Sequence, residues 1–126
     1  MQRVTPESLV DALKSHFGDR FSTALAVREQ HGKDESIFDV PPPSAVVFAE
    51  STKDVAAAVQ MAAKHQTPVI PFGTGSSLEG HLLAVQGGIS IDVSRMNKVL
   101  SVNAEDLTVT VQAGVTRKAV NDAIKN

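Results

Sequence analysis

The chain has 126 residues, 42% hydrophobic and 21% charged, which excludes wholesale disorder and suits one compact domain. A net charge of −2 and 4% aromatics, all Phe, leave no polycationic footprint and little to stack on bases, so nucleic acid is not an expected partner. With no Cys, disulfides, thiolate metal sites and Cys nucleophiles are excluded together.

The first twenty residues carry charge throughout. They read as neither signal peptide nor membrane span, so a cytoplasmic protein is expected, with peripheral membrane association left open for a full-length form. A first helix is predicted from Thr5 as cap and Pro6 in the first turn to Gly18 as stop, with Leu9, Val10, Leu13 and Phe17 on one face. Residues 20–36 lose that pattern and read as a loop with one short turn. The three prolines at 41–43 are extended and stiff.

Residues 45–49 (AVVFA) read as a strand buried on both faces. Ser51 or Thr52 then caps a helix to about His65, with Val55, Ala58, Val59 and Ala62 as a narrow stripe of small residues. Pro68 stops it, and Val69 and Ile70 make a second strand. Strand, helix and strand form a βαβ unit, hence a parallel pair with a right-handed crossover. Residues 88–92 (GISID) give a third strand. Residues 99–102 make another short strand, residues 103–106 a turn, and residues 107–113 alternate. Leu107, Val109, Val111 and Ala113 share one face, as in a half-buried antiparallel strand. Gly114 breaks it, and Thr116 caps a last helix, with Val115 and Val120 placed as a hydrophobic staple. That helix reaches Ile124 and stops at Lys125 and Asn126 without a closing signal, so the chain reads as severed.

Chemistry concentrates in residues 71–81 (PFGTGSSLEGH), directly after the second strand. Gly73, Thr74, Gly75, Ser76, Ser77 and Gly80 allow a backbone to approach a ligand closely, and successive amides can form a nest for phosphate oxygens. Between Lys64 and Arg95 there is no Lys or Arg, so amides and hydroxyls must carry any anion. The P-loop pattern fails, because His81 and Leu82 stand where Lys and a hydroxyl are needed. The dinucleotide fingerprint fails at Leu78, which replaces its third Gly. Taken alone, a Gly/Ser-rich turn is also ordinary structural punctuation. Its place at the C-terminal end of a parallel strand favours a ligand, since open α/β sheets bind there.

Three blocks, PVIPFGTGSSLEGH, GGISIDVSRMNKVL and LTVTVQAGVTRKAVNDAI, resemble in order and spacing the N-terminal part of the flavin domain of the vanillyl-alcohol-oxidase-type (PCMH-type) superfamily. Within it they are most similar to the branch of D-lactate dehydrogenases and glycolate oxidase subunits. The resemblance covers roughly residues 41–124. It implies an incomplete PCMH-type FAD-binding fold of α+β (α/β) class. That fold would comprise an N-terminal helix, a three-stranded parallel βαβ sheet with flanking helices, then the start of a mainly antiparallel sheet and a C-terminal helix. It divides the chain into a helical extension and loop (1–40), a pyrophosphate-binding subdomain (41–93) and the start of a second subdomain (94–126). Phe72, Gly73, Thr74, Gly75, Ser76 and Ser77 would wrap the FAD pyrophosphate, Gly80 and His81 would lie along the same cofactor edge, and residues 43–47 would neighbour the adenine. Asp92, Ser94, Met96 and Asn97 match a block read as structural, with Ser94 capping a turn and Met96 in the core. Members that attach flavin covalently through this loop carry His where Ser76 stands, and His81 is five positions on. The resemblance therefore implies non-covalent FAD. In that family the substrate carbon passes hydride to the flavin, and a separate substrate domain supplies the base.

The other candidates read blandly. His16, His31 and His65 lack ligand spacing, so no metal is expected, and Asp34, Glu35, Glu105 and Asp106 read as solvated loop carboxylates. No nucleophile or general-base constellation stands out, and the catalytic residues are expected elsewhere. The implied function is the FAD-binding portion of a dehydrogenase of small 2-hydroxy acids, inactive alone. A stand-alone nucleotide- or anion-binding module, or an inactive fragment without cofactor, remain the alternatives. The strand at 107–113 would lack a partner on one edge, and self-association along it is expected.

Overall fold

In the computed structural model, which describes residues 2–125, the first helix spans Glu7–Phe17 (α1). Pro6 rather than Thr5 holds the N-cap position, and the Thr5 hydroxyl donates instead to Ser44 Oγ at 2.8 Å. Gly18 closes the helix, its amide donating to the Lys14 carbonyl, and Leu9, Leu13 and Phe17 are buried as their spacing requires.

The stretch read as loop is more structured than expected. A 3-10 turn at Gly18–Arg20 leads into a two-residue strand, Phe21–Ser22 (β1), and a seven-residue helix, Leu25–His31 (α2). Both are too short to show a period, and α2 lacks a side-chain cap, so tertiary contacts with the next strand hold them.

That strand, Ala45–Phe48 (β2), leads into Thr52–Lys64 (α3), whose N-cap Ser51 accepts from the Asp54 amide. Two further strands follow, Val69–Phe72 (β3) and Ile89–Asp92 (β4). The sheet order is β1-β2-β4-β3. The expected three-stranded parallel sheet is thus four-stranded and mixed, because β1 adds antiparallel to the edge of β2. The βαβ strands β2 and β3 run parallel to a common neighbour, but β4 lies between them. Pro71, which has no amide proton to donate, sits on the edge strand β3, where the ladder tolerates it.

Alternate residues divide the two faces of the sheet. Ala45, Val47, Ala49, Ile89 and Ile91 join Leu9, Leu13, Phe17, Ala58, Ala62 and Met96 in one core. Val59, expected in the α3 stripe, is 43% exposed, so the stripe narrows to Ala58 and Ala62 with Val55 half-buried beside them.

The remaining strands, Val99–Asn103 (β5) and Thr108–Val111 (β6), form a separate antiparallel pair with a bulge between Val99 and Ser101. The last helix, Arg117–Ile124 (α4), is capped by Thr116, whose hydroxyl accepts from the Ala119 amide. The half-burial expected of residues 107–113 is not realised: Leu107 is 92% exposed and lies in the turn, and Val111 is 37% exposed. A two-stranded sheet has no second layer to bury its apolar face. Asn126, where the chain was read as severed, and Met1 lie outside the described residues. Among those residues no helix is long and apolar enough to cross a membrane.

Candidate functional site

The register of the parallel strands builds the site. Phe48 and Phe72 each stand opposite Asp92, so three side chains form one row across the C-terminal ends of β2, β4 and β3. This is where an open parallel sheet presents a crevice. The last residue of α2, His31, lies on that row. Its ring centroid is 4.4 Å from that of Phe72 and 5.5 Å, edge-on, from that of Phe48.

Two hydrogen bonds fix the His31 ring. Nδ1 donates to the Val27 carbonyl at 2.8 Å, and Nε2 lies 2.7 Å from Asp92 Oδ2. The other Asp92 oxygen accepts from the Ser94 amide at 2.8 Å, so Asp92, rather than Ser94, caps this turn. Burial pulls the His31 pKa down. The hydrogen bond to Asp92, the Val27 carbonyl and the Asp92 charge outweigh it and leave the pKa above its ordinary value. For Asp92, burial pushes upward, but bonds from His31 and Ser94 and the imidazolium charge hold it below the usual carboxylate range.

A pocket of about 370 Å³ opens over this row. One wall runs from Gln30 to Glu35, the floor includes Asp92 and Phe72, and the other wall is Gly73, Thr74 and Gly75. Of the expected cofactor residues, Phe72, Gly73, Thr74 and Gly75 line this pocket. Ser76, Ser77, Gly80 and His81 do not, although Ser76 Oγ bonds Thr74 Oγ1 at 2.9 Å. His81 is exposed.

The loop has the features an anion nest needs. Gly75 has φ +74°, and a Cβ there would meet the Phe72 ring at 2.9 Å, so only glycine closes this turn. Among the described residues, the amides of residues 73–79 donate to no backbone carbonyl. The Ser77 hydroxyl is buried with no partner. Unengaged amides and an orphaned hydroxyl are the donors that diphosphate oxygens require, so the residues fit a nucleotide cofactor.

The opposite wall braces this loop. The Glu35 amide donates to the Ser77 carbonyl at 2.8 Å, and the Phe38 ring packs under Gly80. Asp34 is held below the usual carboxylate range, first by its hydrogen bond with the Ser36 side chain, against a rise from burial, then by the Ser36 and Gly80 amides. Of residues 43–47, expected beside an adenine, Ala45, Val46 and Val47 lie in β2 and are fully buried, and Pro43 and Ser44 lead into it.

His31, Asp34 and the structural role of the 30–35 segment escaped the sequence reading. The one local signal was Asp92, a carboxylate ending a fully buried strand, which marks the ligand edge of a parallel sheet. Its partner stands 61 positions away, a distance that local pattern does not bridge.

Residues 43–126 match the family described as FAD binding domain. The chain is 42% identical over 121 residues to a zebrafish (Danio rerio) protein named "Probable D-lactate dehydrogenase, mitochondrial", a match covering 95% of this chain and 24% of that one. It is 33% identical over 122 residues to the "D-lactate dehydrogenase [cytochrome], mitochondrial" of Arabidopsis thaliana, covering 95% of this chain and 22% of that protein. A solved structure of alkyldihydroxyacetonephosphate synthase superposes with a TM-score of 0.84 at 27% identity, over 99% of this chain and 28% of that one. The chain therefore spans about a quarter of the length of the relatives it matches.

Proposed function

The chain belongs to the FAD binding domain family, and from that premise we propose that it is the FAD-binding portion of a flavin-dependent dehydrogenase of small 2-hydroxy acids. The observation that carries the cofactor reading is the unengaged donor set of the 73–79 loop at the C-terminal edge of the sheet. The substrate class rests on the zebrafish and Arabidopsis relatives, both D-lactate dehydrogenases by name.

In this reading Gly73, Thr74, Gly75, Ser76 and Ser77 hold the pyrophosphate through backbone amides and hydroxyls. Phe72 shapes the base of the loop, and Gly80 and His81 lie along the same cofactor edge. Bound FAD supplies a two-electron acceptor for oxidation of an alcohol carbon. The chain's own part is to bind and orient: the braced loop holds its amides in place before the ligand arrives, which lowers the ordering cost of binding. Ser76 is a poor nucleophile toward a flavin ring beside the histidine of covalent members, so FAD is held without a bond to the protein. The 126 residues alone turn over no hydroxy acid, in keeping with their coverage of a quarter of the relatives' length. A second copy pairs along residues 107–113 and covers the open edge of β6. Cytoplasmic placement is kept as the expectation for the chain, against the mitochondrial names of the two relatives; cell fractionation separates these.

Titration of the 126-residue chain with FAD, ADP and ATP tests the cofactor reading. FAD should bind most tightly, and acid precipitation should release the flavin into the supernatant. Equal affinity for all three would favour the general nucleotide module, and no binding of any would sink the cofactor reading.

A further inference from the structure

Resting on the nucleotide reading above, we propose that His31 is a positioning residue of that site: as an imidazolium it cancels the Asp92 carboxylate on the pocket floor and ties the 30–35 wall to the sheet edge.

The geometry sets the protonation state. Both ring nitrogens face acceptors, the Val27 carbonyl at 2.8 Å and Asp92 Oδ2 at 2.7 Å. A neutral imidazole carries one N–H and can satisfy only one of them. The ring is 3% exposed and Asp92 5%, so water does not supply the missing donor. An uncompensated carboxylate at that depth is costly, which favours the doubly protonated ring.

The charge around the pocket makes this state matter for an anion. The wall after α2 brings Lys33, Asp34 and Glu35. The β2 and β3 strands offer only the Phe48 and Phe72 rings to His31, and β4 offers Asp92. Arg95 lies over the Phe48 ring, 4.7 Å from its centroid, and is engaged with Glu50 at 3.4 Å. The 73–75 loop has no cation of its own. With His31 protonated, the His31–Asp92 pair sums to zero charge. Loss of that proton leaves one negative charge on the floor, facing the diphosphate. The wall adds two acidic side chains, Asp34 and Glu35, against the one basic side chain of Lys33.

Affinity for a diphosphate therefore falls as pH rises through the His31 pKa, and a bound diphosphate pushes that pKa higher by linkage. The raised pKa of the unliganded ring has the same sign. The protein is titrated with FAD, and with ADP as a second diphosphate, by calorimetry from about pH 6 to about pH 9, the range in which a raised histidine pKa is crossed. Wild type should lose affinity on the order of tenfold across this range, the equivalent of a one-unit rise of the His31 pKa on binding. His31→Gln should give a flat profile with FAD, whose diphosphate loses no proton in this range. In parallel, proton NMR follows the His31 ring signal of the wild type against pH, with and without FAD, and its midpoint should rise when FAD is bound.

An FAD affinity that does not change with pH, or an unchanged NMR midpoint, would overturn the role of His31 and leave the nucleotide reading standing. No binding at any pH would remove both. Should His31→Gln fail to fold, the wild-type NMR midpoint decides by itself.

Discussion

A methyl group added at Gly73 would meet no heavy atom within 4 Å, and the residue lies outside the left-handed backbone region. Gly73→Ala therefore introduces no strain into the folded chain and restricts the unfolded one, a gain of about 0.4–1 kcal/mol in stability. The same open space is where a diphosphate must come if the loop amides hold it. A methyl group there keeps the ligand from closing on the Thr74 and Gly75 amides. We expect FAD affinity to fall at least about tenfold, or about 1.4 kcal/mol. Urea unfolding without ligand and FAD titration by flavin fluorescence read the two quantities separately. Gly75→Ala does not separate them, because its positive φ and the Phe72 ring at 2.9 Å disturb the fold as well. The reasoning is refuted if Gly73→Ala keeps wild-type stability and binds FAD within about twofold of wild type, a difference of about 0.4 kcal/mol.

Gly114, at the corner between the two sheets, is architectural: an added Cβ would overlap the Val93 carbonyl oxygen, and the Gly114 amide donates to Met96 at 2.9 Å. Gly114→Ala should cost about 2–4 kcal/mol through backbone displacement and loss of that bond, a lowered urea midpoint being the readout. Ser51→Ala removes the cap on the Asp54 amide and should cost about 1 kcal/mol by the same assay, with FAD affinity intact. The His31–Asp92 pair shapes the pH dependence of stability without cofactor. The raised His31 pKa adds stability that is full below the ordinary histidine range and lost as pH rises through the folded value. The lowered Asp92 pKa adds stability present above the ordinary carboxylate range and lost as pH falls through the folded value. The pair's contribution should thus peak between the two ranges, around pH 5–6. Urea midpoints of wild type minus His31→Gln at about pH 4, 5.5 and 8.5 should show that maximum, and a constant difference would contradict it.

What was legible from sequence alone is what local chemistry dictates. The amphipathic spacing of Leu9, Leu13 and Phe17 placed α1, and the hydroxyls of Ser51 and Thr116 placed the starts of α3 and α4. The Gly/Ser run after β3 located one wall of the pocket, because backbone freedom and free amides are local properties. Tertiary structure decided the rest. Three short apolar strands look alike in sequence, and only long-range pairing set β4 between β2 and β3. Two-residue β1 and seven-residue α2 carry too few residues for a period, and packing on β2 makes them. Within β6 the alternation set Val109 and Val111 on one face, while Leu107 and Ala113 fall outside the strand. Whether that face is buried depends on a second layer, which the β5–β6 pair does not supply. The floor of the site joins His31 to Asp92 across 61 positions, through a register that lines Phe48, Asp92 and Phe72 into one row. Pattern within a segment reports its own conformation and apolar face; which distant segment meets that face is settled by packing, and here that meeting sets the charge of the site.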